Sequence, residues 1–267
     1  MNKDAEKFVG KDKYTFEDLV EIMRILRRPD GCPWDREQTH ESIRQNFIEE
    51  TYEAIEGIDK KDSVLLCEEL GDVLMQVVFH SVISEEEKTF DVDDVITGVC
   101  AKLVLRHPHV FADTVADNTA KVLENWDKIK TVEKKYNSTG EKIDSVSRAM
   151  PSLMRAQKIG GKCRKAGFDF ADAEDAAKKL AEETQELLDE HRSGNREAEF
   201  EEAGDLLLAA TNVVRLCDVD CEKALYMTCE KYISRYKKME KSIKDDEKSL
   251  ENMNNFEKNS YWEKSKM

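Results

Sequence analysis

The 267-residue chain is 40% hydrophobic and 37% charged, with only four prolines and eleven glycines, a composition that favours helices over strands and turns. Its net charge of −15 excludes a general nucleic-acid coat, because phosphate backbones need a basic face, but it leaves small anionic substrates open through a bridging metal. Seven cysteines without framework spacing point to reduced thiols and a cytoplasmic protein, the start "MNKDAEKFVGKDKY" lacks the apolar segment of a signal peptide, and no apolar run is long enough to span a membrane.

In chain order, "TFEDLVEIMRILRR" at 15–28 reads as an amphipathic helix, with Thr15 and Asp18 in a capping arrangement. "PDGCPWD" at 29–35 breaks it with two prolines and a glycine. A second helix runs through "SIRQNFIEETYEAIEGI". After the short connection "KKDS", with Ser63 expected as cap, a third carries "VLLCEELGDVLMQVVFHSVISEEE". "FDVDDVITGVCAKLVLRH" gives a fourth, ended by the proline of "HPHVF", and "KVLENWDKIKTVEKK" a fifth. The polar stretch 133–150 reads as a linker between a first domain at 12–132 and a second at 151–267.

The second half retraces the first. "IMR" at 22–24 is echoed by "LMR" at 153–155, Cys32 by Cys163, "WD" at 34–35 by "FD" at 168–169, and "EETYE" at 49–53 by "EETQE" at 182–186. "EELGD" at 68–72 is followed by "EEAGD" at 201–205, "KLVLR" at 102–106 by "KYISR" at 231–235, and "WDKIK" at 126–130 by "WEKSK" at 262–266. The order is kept, so the chain reads as a duplication of one all-helical unit.

Glu50 and Glu53, three residues apart on one helix, share a face, as do Glu69 and Asp72 on the next. A short connection makes these helices antiparallel neighbours, so the pairs can face each other. Four converging carboxylates repel unless a cation neutralises them, and oxygen-only ligands suit Mg²⁺ or Mn²⁺. The copy supplies Glu183, Glu186, Glu202 and Asp205. The sixteen-residue spacing from Glu53 to Glu69 is kept from Glu186 to Glu202. The acids are embedded among apolar residues such as Phe47, Ile48, Leu70 and Leu74, and Gly71 and Gly204 suggest close approach by another helix or a ligand.

"GCPWD", "EETYE", "ELGDVLMQVVFH" and "RHPHVFAD", in that order, resemble the MazG family of nucleoside triphosphate pyrophosphohydrolases, and the second half resembles the second repeat of its two-repeat bacterial form. The resemblance implies an all-α fold of two tandem helical repeats, with bundles completed by dimerisation into a homodimer. It implies Mg²⁺ held by the ExxE and ExxD acids, and conversion of a broad range of NTP and dNTP substrates to monophosphate and pyrophosphate. By position, Glu182 or Glu201 is the candidate for handling water, Glu182 the preferred one. Lys179, Lys231 and Arg235 match nucleotide-contacting positions of the second repeat. Trp262 matches a lid over the base, with Lys266 one turn later. The resemblance makes the second repeat the main hydrolytic site.

The sequence departs from the family pattern in two places. Asn46 stands where the second repeat has Lys179, and Ala198 and Glu199 stand where a lysine is expected before the second ExxD. His107 and His109, flanking Pro108, read as part of an exposed loop or as satisfied side chains rather than ligands. A di-iron carboxylate bundle is disfavoured, because neither acid pair has a His three residues on. The non-enzyme alternative is a helical interaction or regulatory protein with vestigial metal sites.

Overall fold

The computed structural model describes residues 3–112 and 118–266. Asp113, the last residue of "RHPHVFAD", and Met267, the end of the second domain as read from sequence, lie outside them. The described residues form helices and no strand, in agreement with the all-α expectation. The chain divides into two compact units, Met1–Glu133 and Lys134–Met267.

In the first unit the helices are Lys3–Glu6 (α1), Phe16–Arg27 (α2), Pro33–Glu37 (α3), Arg44–Lys60 (α4), Ser63–Glu86 (α5), Val92–Arg106 (α6), Pro108–Phe111 (α7) and Thr119–Glu133 (α8). Thr15 and Asp18 form the expected capping box on α2. The cap of α5 is Asp62, not Ser63: its carboxylate accepts from the amides of Val64 and Leu65. Both residue types cap well, and the extended backbone places Asp62 at the turn. Only Lys61 and Asp62 separate α4 from α5. Gly57 permits the tight turn, because a Cβ there would lie 2.9 Å from the Leu66 nitrogen.

The core of this unit gathers Val20 and Met23 of α2, Ile43, and Val78, Phe79, Val82 and Ile83 of α5, with Val92. Burying each of these larger side chains contributes about 1.5–3 kcal/mol. Arg27 clamps the core's edge. Its guanidinium donates to both carboxylate oxygens of Glu86, and to the carbonyls of Asp35 and Gln38.

In the second unit the helices are Thr139–Asp144 (α9), Ser152–Lys165 (α10), Ala173–Ser193 (α11), Arg196–Leu216 (α12), Cys221–Asp245 (α13) and Asn255–Ser265 (α14). The polar stretch 133–150 is more than a connection. It holds α9, capped by Ser138, and Lys162 of α10 donates to the Lys142 carbonyl and the Ser145 hydroxyl. A helix of six residues with no apolar period leaves little trace in a sequence pattern. The α11–α12 hairpin turns through Gly194, whose φ of +76° suits a residue without Cβ, and Asn195 caps α12.

Arg215 of α12 is buried and forks onto Asp169 at 2.6 and 3.0 Å. It crosses α10 at Gly160, where an added Cβ would lie 2.6 Å from Nε. Met239, Ile243, Met253 and Tyr261 pack α13 against α14, and Trp262 is half-buried beside them.

Large apolar side chains stay exposed along both hairpins. They include Ile48, Tyr52 and Ile55 on α4, Leu70 and Leu74 on α5, and Phe200, Leu207 and Leu208 on α12. The expectation that the acids are embedded among these residues holds for Glu69 and Glu183, which are buried, and fails for Glu53, Glu186 and Asp205, which are exposed in the single chain. Gly71 and Gly204 are likewise open, with no atom within 4 Å of an added Cβ.

Candidate metal centre

The α4–α5 hairpin sets Glu50 and Glu53 opposite Glu69 and Asp72. Oxygens of Glu50, Glu69 and Asp72 lie within 4.8 Å of one another. Glu69 is buried, Glu50 and Asp72 are half-buried, and Glu53, beside Glu69, is more exposed. Burial pushes the Glu69 carboxyl above the usual carboxylate range, and the nearby Glu53 and Asp72 push it further. Glu50 is raised for the same reasons, by burial first and then by Asp72 and Glu53. Among the described residues no cation is paired with this group.

The α11–α12 hairpin repeats the arrangement, with oxygens of Glu183, Glu186 and Glu202 within 4.8 Å of one another. Asp205, one turn past Glu202, is more exposed and adds to the negative field on Glu202. Burial raises the Glu202 and Glu186 carboxyls, and in both cases the charge of Glu183 adds to it.

Glu183 is different. Lys179 holds its carboxyl below the usual range, despite the burial of the side chain. Lys179 Nζ lies 2.6 Å from Glu183, 2.7 Å from Glu182 and 3.8 Å from Glu186. These carboxylates, Glu182 first, keep the lysine protonated.

The remaining nucleotide-binding candidates lie on or just past the last two helices of the unit. Lys231 and Arg235 lie on α13, and the ring of Trp262 on α14 meets that of Tyr232 at 4.8 Å, tilted by 46°. Lys266 pairs with Glu263 at 2.5 Å. Among the described residues, neither Lys231 nor Arg235 pairs with an acid of the cluster. Glu201 is exposed beside Glu202. Glu199, at the position where a lysine was expected, is engaged by His191 at 2.9 Å and Arg196 at 2.8 Å.

Sequence reasoning did not single out two features. Gln76, one turn beyond Asp72, is buried with Oε1 lacking a partner. His80, a further turn along, has its Nδ1 2.7 Å from that of His40, with the rings stacked. The signal available was the i, i+4 spacing from Asp72 through Gln76 to His80 on a helix whose other buried residues are mostly apolar. His107, by contrast, is satisfied as expected: its Nδ1 meets the Leu103 carbonyl at 2.6 Å and its ring meets Trp126 edge-on. The expectation fails for His109, which is half-buried with its Nδ1 lacking a partner among the described residues.

The donor set of each cluster is all carboxylate, two or three of its members withdrawn from water, which suits a hard divalent cation. Fold and clusters together define a helical protein with a duplicated, hairpin-borne carboxylate centre. The MazG nucleotide pyrophosphohydrolase domain matches residues 38–111 and 171–240, one copy over each hairpin. The chain is 43% identical over 251 residues to the nucleoside triphosphate pyrophosphohydrolase/pyrophosphatase MazG of Thermotoga maritima, covering 94% of this chain and 95% of the relative. It is 40% identical over 228 residues to the nucleoside triphosphate pyrophosphohydrolase of Escherichia coli K12, covering 84% and 87% respectively. The uncharacterized protein YabN of Bacillus subtilis is 41% identical over 260 residues, where the match takes in 52% of the relative. The chain belongs to the MazG nucleotide pyrophosphohydrolase family.

Proposed function

We propose that this chain hydrolyses nucleoside triphosphates to the monophosphate and pyrophosphate. Mg²⁺ is the cofactor in this reading, Mn²⁺ can substitute, and the substrate range is broad across NTPs and dNTPs, as suits a housecleaning role. The observation that carries it is the convergence of Glu183, Glu186 and Glu202 beside Lys179 in a chain of this family. Glu183, Glu186, Glu202 and Asp205 would hold the metal in the second repeat, and Glu50, Glu53, Glu69 and Asp72 in the first. When bound, Mg²⁺ offsets phosphate charge and makes the α-phosphorus open to attack.

Glu182 orients the attacking water and takes its proton, with Glu201 as the alternative. The water oxygen bonds to the α-phosphorus, the bond to the oxygen bridging α and β breaks, and pyrophosphate leaves. Lys179, Lys231 and Arg235 engage phosphates. Trp262 covers the base, with Lys266 beside it. The second repeat carries most of the turnover.

The exposed apolar faces of α4, α5 and α12 support a homodimer, since a second copy would take them out of water. Free thiols throughout the described residues support a cytoplasmic location, and among those residues no helix is long and apolar enough to cross a membrane. The domain reading is a repeat at 12–132, a connection at 133–150 and a repeat at 151–267.

The test incubates the full-length protein with each NTP and Mg²⁺ and identifies the products. Monophosphate plus pyrophosphate is expected. Diphosphate plus phosphate, or no product, overturns the reading.

A further inference from the structure

The two acid clusters differ in one respect that bears on how they take up metal. In the second, the Lys179 ammonium lies 2.6 Å from Glu183, 2.7 Å from Glu182 and 3.8 Å from Glu186. An ammonium so placed neutralises the same oxygens that a divalent cation would bind, and the two cations repel at such range. In the first cluster the corresponding position is Asn46, a neutral amide. Glu50, Glu69 and Asp72 converge there with no paired lysine or arginine among the described residues.

We infer that the repeats bind divalent metal under different conditions: the first without nucleotide, the second tightly only once a triphosphate draws Lys179 off the acids. The inference rests on the metal reading proposed above. Its logic is linkage. Lys179 can serve the carboxylates or an incoming phosphate, so phosphate and metal each favour the other's binding at the second repeat. The first repeat, without the lysine, has no such coupling. The carboxylates there repel one another until a cation arrives. Lys179 thus acts as a resident counter-ion that holds the second cluster assembled and in reserve.

The test titrates full-length protein with Mn²⁺ and follows the free ion by electron paramagnetic resonance. It is done alone and with an α,β-methylene nucleoside triphosphate, which cannot be split between those phosphates. Without the analogue, one tight class of Mn²⁺ is expected, lost in Glu69→Gln and kept in Glu183→Gln. The analogue should bring in a second class. Lys179→Met should fill that second class without analogue, tightening it about tenfold. Asn46→Lys should weaken the first class by about the same factor.

If the unliganded protein fills both clusters alike, the inference is wrong. It is equally wrong if both Lys179→Met and Lys179→Gln, folded by circular dichroism, leave the second class unchanged. No metal class in any variant would sink the proposed metal reading along with it. Titrations as expected, in a protein that yields no monophosphate, would sink only the hydrolytic reading.

Discussion

Replacing Asp169 tests what fixes the second hairpin in place. Arg215 is 7% exposed and the Asp169 side chain 13%, in a residue that is otherwise open to solvent, and the carboxylate takes two guanidinium bonds at 2.6 and 3.0 Å. Asp169→Ala leaves the guanidinium with Asn212 as its side-chain acceptor, at 2.9 and 3.3 Å. Breaking a fully buried pair costs about 3–5 kcal/mol, and the residual water access of Asp169 lowers that to about 2–3 kcal/mol. In a unit running from Lys134 to Met267, this corresponds to a fall of roughly 6–15 °C in its melting temperature. Asp169→Asn, which keeps an acceptor but no charge, should lose about half as much.

The same pair gives a pH signature. Arg215 holds the Asp169 carboxyl below its ordinary value. A depressed carboxyl contributes stability above the unfolded value of about 3.9, and the contribution is lost as pH falls through the folded one. Calorimetry of the full chain at pH 7 and at successively lower pH should show the wild-type and Asp169→Asn melting temperatures converging below about pH 4. A gap of constant size, or none at pH 7, would refute the assignment of Arg215–Asp169 as the anchor that sets α12, and with it Glu202 and Asp205, on α10.

Three further outcomes are expected. Glu183→Gln should cut NTP turnover on the order of 10²-fold by steady-state assay, while Glu50→Gln spares most of it; equal losses would overturn the unequal roles of the repeats. Gly57→Ala places a Cβ 2.9 Å from the Leu66 nitrogen, and overpacking of about 1–3 kcal/mol outweighs the helix-propensity gain of about 1 kcal/mol. The first unit should therefore melt earlier, and an unchanged transition would mean that the hairpin opens freely. Burial and the stacked His40 hold His80 below its ordinary value, so its contribution is present above about pH 6.5 and lost as pH falls through the folded value. His80→Gln should flatten the urea stability profile between roughly pH 7 and 5, and a profile matching wild type would exclude the pair as a titrating element.

How much of this was legible in the sequence follows from the range of the interactions. The helices and the two hairpins could be read, because an apolar period, a cap such as Thr15 with Asp18, and a short connection are all local. The grouping of Glu50 with Glu69 and of Glu183 with Glu202 followed from the same locality: each pair lies across one short turn, and the equal spacing in both copies repeats the geometry. The cap of α5 was misplaced by one residue, since Asp62 and Ser63 are both good caps and only the backbone decides which one sits at the turn.

What could not be read was where long side chains end. Spacing put Lys179 on the face of Glu183 but could not say whether its ammonium reaches forward to a substrate or sideways to the acids. In the free chain the nearby carboxylates win, because they are fixed on the same helix at i+3 and i+4. Burial was the other blind spot. Leu70 and Leu74 look like core residues in a sequence pattern and stand in water in the single chain, since a pattern records that a face is apolar but not what covers it. Of the acids among them, Glu69 and Glu183 are buried and the rest only partly withdrawn from solvent or exposed. If a second copy does cover these faces, it would also dry the clusters, strengthening every electrostatic contact there. Metal affinity would then rise with assembly.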